Sequence, residues 1–358
     1  MKKILLIGPL PPPVTGVSFC NKIAIEHLSK EQDFQIEYIN TAPKKFDEEL
    51  GKLSLNKIIH NLKNYFKIYK IFNSQIIYAT IGQTFAGVLK FAPYFLIAKL
   101  FKRKIIIHLH GNNLLNQYQL QKGLKKRIFH SVVSLGDKGI VLSENLKSNF
   151  IPFLKDENIE VLPNFVDNKL LNKNLNIENK DFTKLKILYL SNLMTQKGIF
   201  ELLDALEILH QKGIEYEAVL AGNIDDNIKK TILDKIKALP NVTYIGVVSG
   251  KKKLDAYLNA NVFILPSYLE GQPLSIFEAM ATGNIVISTP HPGITDFFDS
   301  SQILYIEKKS IISIVNAFEK IKDNLPRYHS IVRLNYKYII ENFTEKKFIE
   351  NLKKIFLK

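Results

Sequence analysis

From Asn261 to Gly293 the chain reads NVFILPSYLEGQPLSIFEAMATGNIVISTPHPG. The apolar run Val262–Leu265 predicts a buried strand. Pro266 to Gln272 form a loop, and Pro273 suits the first position of a helix, where its missing N–H costs nothing. That helix carries Phe277, Ala279 and Met280, and Gly283 stops it. A second apolar run, Ile285–Ile287, ends at another Pro/Gly turn. The order is strand, loop, helix, strand. In a parallel sheet such a loop lies at the carboxyl ends of the strands, where ligands bind. The free N–H groups near Leu274 and Ser275, with the partial positive charge of a helix start, suit a phosphate. Two carboxylates bracket this point, Glu270 in the loop and Glu278 in the helix. Taken alone, they read better as ordinary glutamates of a surface helix than as a site.

Outward from this unit the same alternation fills the chain. Towards the N-terminus the expected strands are Lys3–Gly8, Phe34–Asn40, Gln75–Ala79, Ile105–Gly111 and Gly139–Ser143. The expected helices are Val17–Leu28, the basic amphipathic Lys57–Phe72, Phe85–Leu100 with a break at Pro93, and Leu120–Val133. Lys57–Phe72 places Ile58, Ile59, Leu62, Tyr65, Phe66 and Tyr69 near one face. VLPNFVDNKLL (Val161–Leu171) followed by a polar, Asn-rich segment to about Phe182 reads as a domain boundary. The pattern then restarts with strands at Lys186–Asn192, Tyr216–Asn223 and Val242–Gly246, and helices at Gly198–Gln211, Asp226–Ala238 and Leu254–Ala260. A last strand at Ile303–Glu307 precedes helices, and the tail Phe343–Lys358 is a basic amphipathic helix. Repeated βα units argue for α/β architecture with doubly wound parallel sheets.

Composition agrees. A chain of 358 residues suits two domains, with 46% hydrophobic and 23% charged residues as in a folded globular protein. No apolar run is long enough to span a bilayer. The opening MKKILLIGPLPPP has too short an apolar core for a signal peptide and reads as a first strand. The single cysteine, Cys20, fits a reducing compartment. Net charge is +15, and the excess sits in residues 1–165, which hold 23 Lys and Arg against 12 Asp and Glu. Such a field recruits polyanions or an anionic membrane. The alternative is a lysine-rich bias spread over solvated surface. No nucleic-acid-binding motif accompanies the charge.

LEGQPLSIFEAMATGNIVIST (Leu269–Thr289) resembles the signature of the retaining glycosyltransferases of family 4. In that family an acidic pair separated by seven residues sits in a run like the one from Glu270-Gly271 to Glu278-Ala279-Met280-Ala281 and Gly283. The resemblance extends over almost the whole chain: PNFVD (Pro163–Asp167) resembles the entry to the second domain, and LSNLMTQKGIFELLDAL (Leu190–Leu206) its phosphate-binding strand-loop-helix. It implies a GT-B fold, two Rossmann-like doubly wound domains facing a cleft, with a C-terminal helix crossing back to the first. The expected domains are 1–165 with about 340–358, binding acceptor, and 166–339, binding donor.

The resemblance also implies roles. Lys197, at a strand's carboxyl end before a helix that Gly198 can open, would neutralise a leaving diphosphate together with the N–H groups near Leu274 and Ser275. Glu270 would orient the sugar and Glu278 would hold the ribose, a carboxylate being an acceptor for vicinal hydroxyls. Gly271, Gln272 and Pro273 complete that loop. Gly222 and Gly246, at the ends of two strands, belong to the same donor set, with base contacts expected after Gly246. Asn192 stands where many members carry a phosphate-binding arginine; it can donate a hydrogen bond but brings no charge. GPLPPPVTGVSF (Gly8–Phe19) is not a GxGxxG fingerprint, so no dinucleotide cofactor is expected. It resembles the family's glycine loop, with Gly16 letting backbone approach the donor.

In HLHG (His108–Gly111) the two histidines share a strand face, but no third ligand accompanies them, so zinc is rejected. His110 matches the family's sugar-facing histidine and His108 reads as a buried structural residue. Asp225-Asp226 reads as a helix cap rather than a metal-binding D-x-D. No metal or cofactor is expected: transfer would proceed by front-face attack, the leaving diphosphate taking the acceptor proton. The expected partners are a nucleotide-sugar donor, a glycan or polyprenyl-diphosphate-linked acceptor and, through the lysine- and aromatic-rich segments of the first domain, an anionic cytoplasmic membrane face; nucleic acid is not expected. The setting is capsule, O-antigen or lipopolysaccharide synthesis. Rival readings are a sugar-nucleotide 2-epimerase of the same fold, which would need no acceptor, and a non-catalytic nucleotide-sugar or polyanion binder.

Overall fold

The computed structural model describes residues 1–42, 62–171 and 180–358. The chain divides into two compact units, Met1–Asn164 with Lys346–Lys358, and Phe165–Glu345. Each is built on a six-stranded, all-parallel sheet.

In the first unit the strands are β1 (Lys2–Gly8), β2 (Phe34–Asn40), β3 (Ile76–Thr80), β4 (Lys104–His108), β5 (Lys138–Val141) and β6 (Ile159–Val161), in the order β2-β1-β3-β4-β5-β6. The central strands are buried on both faces, which explains their continuous runs of Ile, Leu and Val. With a side-chain period of two, Leu5, Ile7, Ile77, Ala79, Ile105 and Ile107 join one core cluster. That cluster takes Val88 from α2 (Phe85–Leu89), Phe95 from α3 (Ala92–Leu100), Leu114 from α4 (Leu114–Leu120) and Phe129 from α5 (Gly123–Val133). The alternate residues, among them Ile4, Tyr78 and Ile106, are also buried. α1 (Gly16–Leu28) begins at Thr15, whose side chain accepts from the Ser18 N–H in a capping box.

Three helices differ from expectation. Phe85–Leu100 is two helices, and Pro93 lies inside the first turn of the second, where a helix tolerates it; the break falls at Lys90-Phe91. Leu120–Val133 is also divided, with Gly123 at φ +52 turning the chain between α4 and α5. Of Lys57–Phe72, residues 57–61 lie outside the described residues, Ile58 and Ile59 among them. Residues 62–65 are helical, and Ile68–Ile71 is a 3₁₀ turn.

The second unit carries β7 (Leu185–Leu190), β8 (Tyr216–Ala221), β9 (Val242–Tyr244), β10 (Val262–Leu265), β11 (Ile285–Ser288) and β12 (Leu304–Tyr305), ordered β12-β11-β10-β7-β8-β9. Its helices are α6 (Ile199–Gln211), α7 (Lys229–Ala238), α8 (Gly250–Asn259), α9 (Leu274–Ala281), α10 (Pro292–Thr295), α11 (Ile311–Lys322) and α12 (Tyr328–Asn342). The chain order reverses between β7 and β10, which are direct neighbours with Val262 opposite Ile187. That is the topological switch point, where open α/β sheets bind ligands. Part of the Asn-rich boundary, 172–179, lies outside the described residues.

The tail helix α13 (Glu345–Leu357) falls, from Lys346 on, in the first unit. Phe356 packs edge-on against Tyr78, 5.4 Å between ring centres, and against Phe34 at 6.3 Å. Lys2 Nζ donates to the Phe356 carbonyl at 3.0 Å, and Lys353 pairs with Glu31 at 2.7 Å. Phe356 is buried, so Phe356→Ala is expected to destabilise the first unit by about 3–5 kcal/mol, measured as a shift of the urea unfolding midpoint.

Candidate active site

The opening stretch folds as expected at its core. β10 and β11 cover Val262–Leu265 and Ile285–Ser288, and α9 runs Leu274–Ala281. Pro273 is the N-cap rather than the first helical residue, and it offers no side-chain cap. Leu274 and Ser275 therefore begin the helix with N–H groups that have no intrahelical acceptor. Thr282 ends the helix and Gly283 follows at φ +74.

The loop after β7 and the loop after β10 leave neighbouring strands at the same edge. Lys197 ends a 3₁₀ turn, Thr195–Lys197, and Glu270 lies in the adjacent loop. Their side chains meet: Lys197 Nζ donates to Glu270 Oε1 at 2.6 Å, with the lysine side chain 27% and the carboxylate 10% exposed. A charge-assisted bond of this length, half withdrawn from water, is strong. Two backbone approaches hold the loops together. Gly198 adopts φ +71, and a Cβ there would lie 2.2 Å from the Pro266 carbonyl oxygen. A Cβ on Gly293 would lie 1.8 Å from the Gly271 oxygen. Gln272 Nε2 donates to the Gly293 carbonyl at 2.8 Å, and the Tyr268 N–H to the Gln196 carbonyl at 2.9 Å.

Asn192 lies in the same edge, its carbonyl accepting from the buried Tyr189 hydroxyl at 2.9 Å. Gly222 follows β8, and its N–H donates to the Gly246 carbonyl at 2.9 Å. Tyr244 OH donates to the Gly222 carbonyl at 2.7 Å. The loops bearing Asn192, Gly222 and Gly246 are thus linked through backbone. Asp225 corrects its reading as a cap: its carboxylate accepts from the Asn227 N–H at 3.0 Å in a local turn, while α7 begins two residues later without a side-chain cap.

Glu278 is buried, its side chain 3% exposed, and both oxygens are engaged. Lys253 Nζ donates to Oε1 at 2.6 Å and Tyr257 OH to Oε2 at 2.9 Å. Both donors lie on α8, one helical turn apart on a single face. That i,i+4 spacing was readable in KKKLDAY; its meeting with Glu278 was not. Four more residues, Tyr268, Glu201, Lys309 and His291, have no sequence signal of their own. The Tyr268 hydroxyl bonds to Glu201 at the start of α6, and Lys309 Nζ sits 4.9 Å above the Tyr268 ring. His291, buried, shares Nε2 with Thr289 Oγ1 at 2.7 Å and the Ser267 carbonyl at 3.1 Å. Burial pushes its pKa down to about 4, against the raising influence of Glu270; Lys308 and Lys197 act in the lowering direction.

In the first unit Gly16 opens α1 and is exposed. His108 ends β4, so His110 lies just beyond the strand rather than within it. The rings lie 4.0 Å apart between centres. His108 Nδ1 meets the Tyr78 hydroxyl at 2.6 Å, and burial holds its pKa well below the ordinary value. Burial also lowers His110, to about 4, opposed by Asn164. Among the described residues no three His, Cys, Asp or Glu side chains gather closely enough to hold a metal ion.

Residues 172–338 match the family described as Glycosyl transferases group 1. The chain is 34% identical over 132 residues to the putative teichuronic acid biosynthesis glycosyltransferase TuaC of Bacillus subtilis, covering 37% of this chain and 31% of that protein. It is 27% identical over 228 residues to the N,N'-diacetylbacillosaminyl-diphospho-undecaprenol alpha-1,3-N-acetylgalactosaminyltransferase of Campylobacter jejuni, covering 60% of this chain and 58% of that one. The chain thus spans about a third of the first relative and 58% of the second. Among solved structures, Anabaena Alr3699/HepE in complex with UDP and glucose superposes with a TM-score of 0.74 at 16% identity, over 99% of both chains. At that identity the likeness is one of fold, and the fold is GT-B with two Rossmann-like domains.

Two outcomes are expected. Tyr257→Phe leaves a buried carboxylate oxygen of Glu278 without its donor, which is expected to cost about 1–3 kcal/mol in denaturant unfolding. His110 and His291 are neutral in the fold until about pH 4, whereas unfolded histidines take up protons near 6.5. Acid therefore favours the unfolded chain: stability is complete above pH 6.5 and falls as pH drops towards 4. The urea midpoint should track this, and the double variant His110→Gln/His291→Gln should make the fall shallower, the buried His108 keeping the remainder.

Proposed function

We propose that the chain is a retaining glycosyltransferase that moves a hexosyl or N-acetylhexosaminyl group from a nucleoside-diphosphate sugar to a glycan or polyprenyl-diphosphate-linked acceptor. The observation that carries this reading is the Lys197–Glu270 pair at the switch point, with Glu278 buried beside the same helix start. The match of residues 172–338 to group 1 glycosyltransferases supports it. So does the partial similarity to enzymes named for teichuronic acid and undecaprenol-linked glycan synthesis. The setting we favour is bacterial surface polysaccharide assembly, capsule, O-antigen or lipopolysaccharide, at the inner face of the cytoplasmic membrane.

Lys197 and the N–H groups of Leu274 and Ser275 take the diphosphate, and Asn192 offers a hydrogen bond without the charge an arginine would bring. As the diphosphate draws Lys197, Glu270 loses its cation and accepts sugar hydroxyls instead. Glu278 offers the ribose hydroxyls the lone pairs left beside Lys253 and Tyr257, with Gly222, Gly246, Gly271, Gln272 and Pro273 shaping the donor pocket; Gly16 and His110 are assigned donor and sugar contact on the family resemblance alone. The bond from the anomeric carbon to the phosphate oxygen breaks, and the acceptor oxygen bonds to that carbon on the same face. The hydroxyl proton goes to the departing phosphate oxygen, so the step needs neither metal nor cofactor.

Lys197→Met is expected to lower kcat by about 10²–10³-fold while the donor still binds, measured by nucleotide release under saturating donor. Glu270→Ala should abolish transfer; near wild-type rate with full donor binding would overturn the assignment. Thermal shifts against UDP-, GDP-, ADP- and CMP-sugars should show one selective stabilisation that EDTA leaves unchanged.

A further inference from the structure

The positive charge of the first domain is not evenly spread. Between Glu49 and Asp137 the sequence contains no Asp or Glu at all, and it contains fourteen Lys and Arg. The whole chain has 34 acidic residues. A general bias towards lysine adds cations; it does not clear carboxylates from so long a run.

The described helical parts of this run, from residue 62 on, gather into one layer. Ile71 of the 3₁₀ turn, Val88 of α2, Phe95 of α3 and Phe129 of α5 all pack into the same core cluster, against the same face of the sheet. Their opposite sides therefore form one outer surface. The pieces touch: Tyr65 OH donates to the Lys90 carbonyl at 3.0 Å, and the Phe72 and Phe101 rings lie 4.7 Å apart. Lys125 Nζ lies 5.9 Å from the Phe85 ring centre.

That surface is apolar as well as basic. Ten of the twenty large hydrophobic side chains exposed among the described residues belong to residues 62–124. Phe66 is 82%, Leu100 76% and Leu124 72% exposed. Lys67, Lys102 and Lys125 are exposed beside them. The two carboxylates at the rim are already neutralised, Glu37 by Lys70 at 3.1 Å and Asp137 by Lys99 at 2.5 Å. A nucleic-acid surface would reward the lysines but not leucine and phenylalanine standing in water. An anionic bilayer rewards both, through headgroup attraction and insertion of apolar side chains. Among the described residues no helix is long and apolar enough to cross a membrane, so contact would be peripheral.

We infer that the outer face of α2, α3, α5 and the 62–72 segment is a docking surface for an anionic lipid bilayer. The inference deepens the proposed function, on which it rests for the membrane-held acceptor. The opposite face of the sheet, with α1 and α13, carries mixed charge, Lys22 pairing with Glu26 and Lys353 with Glu31; it serves as the internal control.

The test is co-sedimentation of the full chain with vesicles of phosphatidylcholine alone or mixed with phosphatidylglycerol. The chain should bind the anionic vesicles, lose them as salt rises, and ignore the neutral ones. Lys67→Gln/Lys102→Gln/Lys125→Gln should weaken binding about fivefold for each lysine. Phe66→Ser/Leu100→Ser/Leu124→Ser should weaken it about tenfold or more, and Lys346→Gln/Lys354→Gln on α13 should leave it unchanged. Circular dichroism melts establish that each variant is folded. Absence of binding, equal binding by all variants, or apolar-independent binding that duplex DNA competes away would each overturn the inference. Nucleotide release with a short-chain, vesicle-free acceptor separates the two readings. Release without vesicle binding overturns the surface alone; vesicle binding without release overturns the proposed function and leaves the surface standing.

Discussion

The site depends on how closely two backbone loops can approach at the carboxyl edge of the second sheet. Lys197 and Glu270 belong to loops 73 residues apart in sequence, and they meet because β7 and β10 are neighbours where the strand order reverses. Neighbouring strands alone would leave the loops splayed. Gly198 against Pro266 removes the side chain that would hold them apart, and Gly293 against Gly271 seats the start of α10 on the Glu270 loop. The result is an ion pair in partial burial, where a lost partner leaves an uncompensated charge and is costly.

The second carboxylate follows a different logic. Glu278 is almost wholly withdrawn from water, and a buried carboxylate persists only with donors on both oxygens. α8 supplies both from one face, Lys253 and Tyr257. The neutral His291 fits the same frame. Burial keeps the His291 ring uncharged, so positive charge at this sheet edge comes from lysines and helix starts.

Fold and activity rest on different supports here. Parallel sheets with covered faces and a tail helix whose Phe356 is buried against Tyr78 specify GT-B architecture, which hosts more than one chemistry. The proposed transfer rests instead on the charged groups at one sheet edge and on the group 1 match. The segregation of charge in the first domain is a separate matter, since neither the core nor the switch point needs it.

Much of this was legible in order along the chain. The Val262–Leu265 strand, the helix after Pro273 and the stop at Gly283 follow from local preferences, because apolar runs, proline and glycine act within a few residues. So does the alternation of strand and helix, whereas Glu270, Glu278 and Lys197 stand out as candidates only through the family resemblance. Boundaries shift where local signals compete: the break expected at Pro93 falls at Lys90-Phe91, with Pro93 in the first turn of the next helix, and Gly123 divides the segment expected to be one helix. Which groups share a hydrogen bond was not legible. The pairing of Lys197 with Glu270, the clamp of Lys253 and Tyr257 on Glu278, and the burial that neutralises His110 and His291 depend on strand order and on backbone approaches between distant segments. Sequence determines the elements because their causes are local; only the tertiary structure decides which charges meet, because electrostatic partners are chosen by distance in space.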